Sequence, residues 1–136
     1  MAAEDNVEIV KRFFAAFGRG DLEAVIEAHS DDVDSHAPVT RTSCALPWAG
    51  SRHGREEVRD YFRQLIETVR PEPFEDVVFT ASGDRVVVEG HNKGTVLATG
   101  KVYEHDWVMI FTIRDGQVVR FRDYYDPADI EAALTN

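Results

Sequence analysis

The sequence predicts an α+β domain, a cone-shaped barrel in which a curved antiparallel sheet carries three helices on one face and a short helix at its end. Two observations carry this. Apolar residues recur at helical spacing through the first half of the chain, and after Pro73 the spacing switches to strand alternation with β-branched and aromatic residues. Helices followed by a run of strands, not alternating with them, give a sheet covered on one side. A bent sheet covered on one side encloses a cone-shaped cavity, where a ligand would sit.

The first helix is expected over residues 5–17, where Val7, Val10, Phe13, Phe14 and Phe17 form a stripe that Gly18 and Gly20 end. Asp21 is placed to cap a second helix, LEAVIEAH, with Leu22, Val25 and Ile26 inward. DDVDSHAP reads as a brief strand stopped by Pro38. Residues 39–53 read as a long loop carrying Trp48, of the length that is usually functional or mobile. GREEVRDYFRQLIETV is a third helix, with Val58, Tyr61, Phe62, Leu65, Ile66 and Val69 on its apolar stripe.

Four strands follow: FEDVVFTAS, DRVVVEGHNKGTVLA, KVYEHDWVMIFTIR and QVVRFRDYY. Ser82-Gly83-Asp84 and Arg114-Asp115-Gly116 form hairpin connections. Gly90 and Gly94 interrupt the second strand, which signals a bulge, a bend or the close approach of a ligand. Asp126 and Pro127 open a last helix through ADIEAAL.

Residues 1–136 fit one domain. No apolar run approaches the roughly 18 residues that span a bilayer. The start, MAAEDNVEIVKRFF, lacks the basic and apolar regions of a signal peptide, so a cytoplasmic location is expected. A net charge of -10 argues against nucleic acid as a partner. The single cysteine, Cys44, reads as an inert thiol. No metal-ligand spacing and no phosphate-binding loop is present, so no metal and no cofactor are expected.

In VVRFRDYYD, residues 118–126, strand alternation places Asp123 on one face with Phe121 and Tyr125. A carboxylate among aromatic rings loses hydration, its pKa rises, and it becomes suited to general acid/base work. The bland alternative is an ion pair with an arginine. On the preceding strand Tyr103, His105, Trp107, Met109 and Phe111 share a face that suits pocket lining or plain core. Asn92, Tyr61 and Trp48 are further candidates for contact with a ligand. His29, His53, His91 and Arg41 are expected to face solvent.

The element order, with FFAAFGRGDLEAV, PWAGSRHGREEVRDYF and RDGQVVRFRDYYD, resembles the nuclear transport factor two-like superfamily, and within it the SnoaL-like proteins related to ketosteroid isomerases. The resemblance covers nearly the whole chain and implies the fold far more than the function. The isomerase Tyr, Asp base and protonated Asp fall on Phe13, Ala37 and near Trp107, so that constellation is not kept. The limonene epoxide hydrolase family has its first catalytic Asp at the position of Asp123. Its partners fall approximately on Gly90 with Asn92 and on Asp34 with His36, and its arginine is missing. SnoaL-like cyclases also place an acid/base Asp at Asp123; their partner His falls near Met109 and is not kept there, while His105, four residues earlier on the same face, would reach a neighbouring part of the pocket.

These comparisons imply Asp123 as acid/base, with His36 and His105 as polar partners. They leave open whether His36 or Ala37 faces the pocket, since a one-residue slip flips the face. The expected function is a cofactor-free isomerase, cyclase or dehydratase acting on a small apolar carbonyl or hydroxyl compound. A non-catalytic ligand-binding or assembly domain and an epoxide hydrolase remain alternatives. Val87, Val108 and Ile110 on the outer sheet face would suit a homodimer.

Overall fold

A computed structural model describes residues 3–38 and 46–135. The elements follow as α1 (Ala3–Gly18), α2 (Leu22–Glu27), β1 (His29–Ala37), β2 (Gly50–His53), α3 (Gly54–Thr68), β3 (Val69–Pro71), β4 (Glu75–Ser82), β5 (Arg85–Val96), β6 (Val102–Arg114), β7 (Gln117–Tyr125) and α4 (Ala128–Leu134). The three long helical and four long strand segments lie where the periodicity puts them. Asp21 accepts a hydrogen bond from the Ala24 N–H at 3.2 Å and caps α2. Asp126 does the same for Ala128 at 3.0 Å at the start of α4.

Three things differ from the expectation. The DDVDSHAP strand begins earlier, at His29, and runs nine residues. The expected 39–53 loop holds strand β2, which pairs with β1 from Asp34↔His53 to Ala37↔Gly50. Short β3 continues directly from α3 and pairs with β5. Cys44 and Arg41 lie outside the described residues.

The sheet runs β2-β1-β7-β6-β5-β3, with β4 also on β5. Every pair is antiparallel except β1 with β7. The β6–β7 turn uses Asp115 at φ 51 and Gly116 at φ 77. Two consecutive left-handed residues match the right-handed twist of a two-residue hairpin.

The helices cover one face and the core lies between. Phe13 is its hub, with ring centroids of Phe14, Phe62 and Phe111 at 5.3, 5.6 and 5.3 Å. His29, expected at the surface, is fully buried there because the chain turns into β1 at that residue. Its ring packs on Phe13 and Phe62, and its Nδ1–H donates to the Val25 carbonyl at 2.7 Å.

Gly90 and Gly94 mark no bulge, for the β5–β6 register runs unbroken through them, and what approaches them is not a ligand but the protein's own rings. Each faces an aromatic residue across the strand pair, Trp107 and Tyr103. A Cβ on Gly90 would stand 2.5 Å from Trp107, and one on Gly94 2.3 Å from the Tyr103 hydroxyl. The missing side chains let both rings lie flat on β5. Gly94→Ala is expected to destabilise the fold by about 1–3 kcal/mol through overpacking, read as a lower urea midpoint. A midpoint equal to that of the parent would refute the ring-on-glycine packing.

Candidate functional site

Strands β5, β6 and β7 fix the floor of an interior cavity. Their inward residues stand in cross-strand rows: Val88–Met109–Asp123, then Gly90–Trp107–Tyr125, then Asn92–His105. Side chains alternate along a strand, so these residues share the covered face. Tyr61 and Leu65 of α3 roof the cavity, and Trp48 closes it from the segment before β2. Phe17, Val69, Pro71, Phe74 and Ile130 complete the wall. The space is about 60 Å³, the volume of about two water molecules, and it is partly open to the outside.

Asp123 is 5% exposed and lines this cavity. Arg122, its neighbour, points the other way and pairs with Asp34 at 2.8 Å. No ion pair neutralises Asp123, and its Oδ1 is buried without a hydrogen-bond partner among the described residues. Burial raises its pKa from 3.8 to about 7, against a smaller opposing pull from the Tyr124 backbone. Near neutral pH both the charged and the protonated form of this carboxyl are therefore populated.

The polar tips around it stay neutral. Burial first, then the Asp123 charge, raises the Tyr61 hydroxyl far above its ordinary range. The same two causes raise Tyr125, whose hydroxyl accepts from the Trp48 indole N–H at 2.9 Å. Burial pushes Tyr103 up to about 12. His105 stacks on Tyr125 at 4.7 Å and on Tyr103 at 5.5 Å. Desolvation, its largest influence, lowers its pKa, so the imidazole is neutral at pH 7. Its Nδ1 and the Trp107 Nε1 are buried without partners among the described residues. Asn92 is fixed differently: its Nδ2 donates to the Glu72 carbonyl at 3.0 Å.

His36 is not brought to Asp123. Val33, Ser35 and Ala37 of β1 are buried, so alternation turns His36 the other way, where its Nδ1 meets Ser51 Oγ at 3.1 Å. Ala37 takes the inward position. Phe121 is also off the cavity; it packs in the core on Phe111 and Phe62. The remaining sequence candidates, Asp123, His105, Trp48, Tyr61, Asn92, Tyr103, Trp107, Met109 and Tyr125, all line the cavity. Phe74, Pro71 and Ile130 were not anticipated. Phe74 lies outside every apolar stripe, so periodicity gives it no direction. Among the described residues no group of three metal-ligating side chains is assembled.

Residues 10–121 match the SnoaL-like domain. The chain belongs to the SnoaL-like family. A nuclear transport factor two-like protein from Burkholderia xenovorans LB400 superposes over 99% of both chains, with a TM-score of 0.86 and 32% identity. A proposed polyketide cyclase from Xanthomonas campestris pv. campestris shares the fold over 98% of both chains, at TM-score 0.81 and 23% identity. TerC, co-crystallized with polyporic acid, shares it over 96% of this chain and 98% of its own, at TM-score 0.79 and 24% identity.

SnoaL-like structure accounts for the site's location. Helices cover one sheet face, and the mixed sheet curls around the cavity between them. No helix among the described residues is long and apolar enough to cross a membrane.

Proposed function

We propose that the protein is a cofactor-free acid/base enzyme of SnoaL type, an isomerase, cyclase or dehydratase acting on an apolar carbonyl or hydroxyl compound. One observation carries the reading: a buried carboxyl, Asp123, with one oxygen unpartnered, faces an aromatic cavity and titrates near neutrality. As carboxylate it takes a proton from the carbon beside a carbonyl. Returned to another carbon, that proton completes an isomerisation; given to a leaving hydroxyl, it completes a dehydration. In a cyclisation the proton goes to the aldol oxygen. The Trp107 N–H is the free donor for the oxygen on which charge develops, and a donor held in a dry site needs little reorganisation. His105 serves as a neutral hydrogen-bonding partner at the far end of the cavity. The cyclase-like and polyporic-acid-binding relatives support a substrate of this general kind.

A set of simple enolisable ketones in D₂O tests this. Deuterium uptake at the α-carbon, followed by NMR, is expected with the parent protein and not with Asp123→Asn. Equal uptake by both overturns the assignment.

A second reading is a non-catalytic binding domain. It is favoured by the lack of a hydrogen-bond partner for the Asp123 Oδ1 among the described residues, which leaves no second group to relay its proton, and it requires ligand affinity that survives Asp123→Asn. Epoxide hydrolysis has less support, since Asp34 and His36 are engaged by Arg122 and Ser51 on the other side of β1.

The outer sheet face supports a homodimer. Half-buried Val87, Val108 and Ile110 lie beside exposed Val78 and Tyr124 in adjacent rows. Light scattering at micromolar concentration is expected to give a dimer, and Ile110→Asp a monomer. A monomeric parent refutes it.

A further inference from the structure

Phe74 stands between the Asp123 cavity and a second, larger hollow. This outer groove runs from the C-terminal end of α1 to the segment after β3 and holds about 680 Å³. Phe17, Val69, Pro71 and Phe74 line both spaces. The inner one, at about 60 Å³, is well below the roughly 150 Å³ of an engineered cavity that takes benzene. A ring cannot stand beside Asp123 while Phe74 stays where it is. The chemistry at Asp123 and the volume available to a substrate are therefore in different places.

The wall between them has one part outside any helix or strand. Trp107 is held flat on Gly90. Phe17 and Val69 sit in a helix and a strand that pack on the core. Phe74 belongs to no helix or strand and is half-buried. On one side the chain is pinned: the Glu72 N–H donates to the Lys93 carbonyl at 2.8 Å, and its carbonyl accepts from Asn92 at 3.0 Å. On the other side come Asp76 at φ 54 and a register shift between Glu75 and Val78. The ring itself is held by contacts to Phe14 at 5.4 Å, Trp107 at 5.6 Å and Phe17 at 6.1 Å. The groove beyond is walled by Phe14, Ile66 and Leu97, and Leu97 is 44% exposed.

We propose that Phe74 determines specificity by dividing one binding site that spans both hollows, and that the ligand has a narrow oxygen-bearing end and an apolar body. The narrow end reaches Asp123 and the body lies in the outer groove. Which end enters rests on the acid/base reading above; occupation of the groove does not. A ligand no larger than the inner cavity is indifferent to Phe74. A ligand with a second ring must displace it.

Acetamide and 4-phenylphenol serve as probes, titrated by NMR shifts of the protein at pH 6 and pH 8. Phe74→Ala is expected to bind 4-phenylphenol about tenfold more tightly than the parent, with acetamide, which carries no ring, changed less than about twofold. Phe74→Trp is expected to weaken 4-phenylphenol selectively, and Phe74→Leu, which keeps an apolar filler, to fall between. If the alanine variant does not fold, the leucine and tryptophan variants decide. Equal changes for both probes, no change in any variant, or no 4-phenylphenol binding at all overturn the divided site. Asp123→Asn on the same probes separates the two ideas. If it leaves acetamide binding and its pH dependence intact while the Phe74 variants discriminate, the acid/base reading fails and the divided site stands.

Discussion

Asp123→Asn is expected to lower turnover about 10²–10⁴-fold, the usual contribution of a positioned acid/base group, and at the same time to stabilise the fold above pH 7. The two effects have one cause. The carboxyl is buried with an unpartnered oxygen, and burial raises its pKa from 3.8 to about 7. Between these values the folded protein keeps a proton that the unfolded chain has lost. Stability therefore falls as pH rises through this window, by roughly 4 kcal/mol in all, and stays low above it. Asparagine resembles the protonated acid and carries no charge at any pH. Its amide still needs a partner, a cost of about 1–3 kcal/mol, so the net gain at pH 8 is about 2 kcal/mol. Below pH 4 the gain turns into a loss of about 1–3 kcal/mol, the cost of the unpartnered amide. Urea melts at pH 8 and pH 4 measure it. A variant less stable than the parent at pH 8 would mean that Asp123 is not held desolvated, and the case for its catalytic role would go with it.

The activity profile has a matching sign. If the reaction starts with proton abstraction, kcat/KM rises with pH through about 7. If it starts with protonation of a leaving group, kcat/KM falls through the same value. The shape thus separates a reaction that begins with abstraction by the carboxylate from one that begins with protonation of a leaving group, before the natural substrate is known.

Much of this was legible in the sequence. Strand alternation alone puts Asp123 with Tyr125, and Tyr103, His105, Trp107 and Met109 together, because a strand has only two faces. Helix stripes identified Tyr61 and Leu65 as core-facing. The limits were also physical. His36 and Ala37 are adjacent in a short strand, and nothing in DDVDSHAP says which faces inward; pairing with both β7 and β2 decides it. His29 sits at a junction that periodicity assigned to a helix end, and one residue of difference there moves its ring from solvent to core. Gly90 and Gly94 signal a bulge, a bend or the approach of a ligand, but the rings they accommodate are Trp107 and Tyr103, from a strand paired across the hairpin. Phe74 reads as the first residue of the strand FEDVVFTAS, but β4 begins at Glu75, and the irregular backbone before it has no period from which a direction can be read.

His29 yields the second large effect, opposite in sign to that of Asp123. Its ring is buried among Phe13 and Phe62, its Nδ1–H is used by Val25, and its Nε2 has no partner among the described residues. Desolvation, the largest cause, lowers its pKa from 6.5 to about 4, with Arg55 adding to it. Here the unfolded chain binds the extra proton between pH 4 and 6.5, so stability rises with pH across that window, by roughly 3 kcal/mol. Over the same range Asp123 lowers it. The two slopes nearly cancel in the parent, and each is exposed when the other residue is replaced. Asp123→Asn is expected to gain about 3 kcal/mol from pH 4 to 6.5 relative to the parent's profile. His29→Phe, which keeps an apolar ring against Phe13 and Phe62, is expected to lose roughly as much by comparison, with the fall continuing to about pH 7. Exposed ion pairs such as Arg59 with Glu23 and Arg63 with Asp60 are common to all three proteins and drop out of the differences. Denaturant midpoints at half-unit pH steps give the profiles, and three parallel curves would sink the claim that two buried groups of opposite sign set the pH response of this fold.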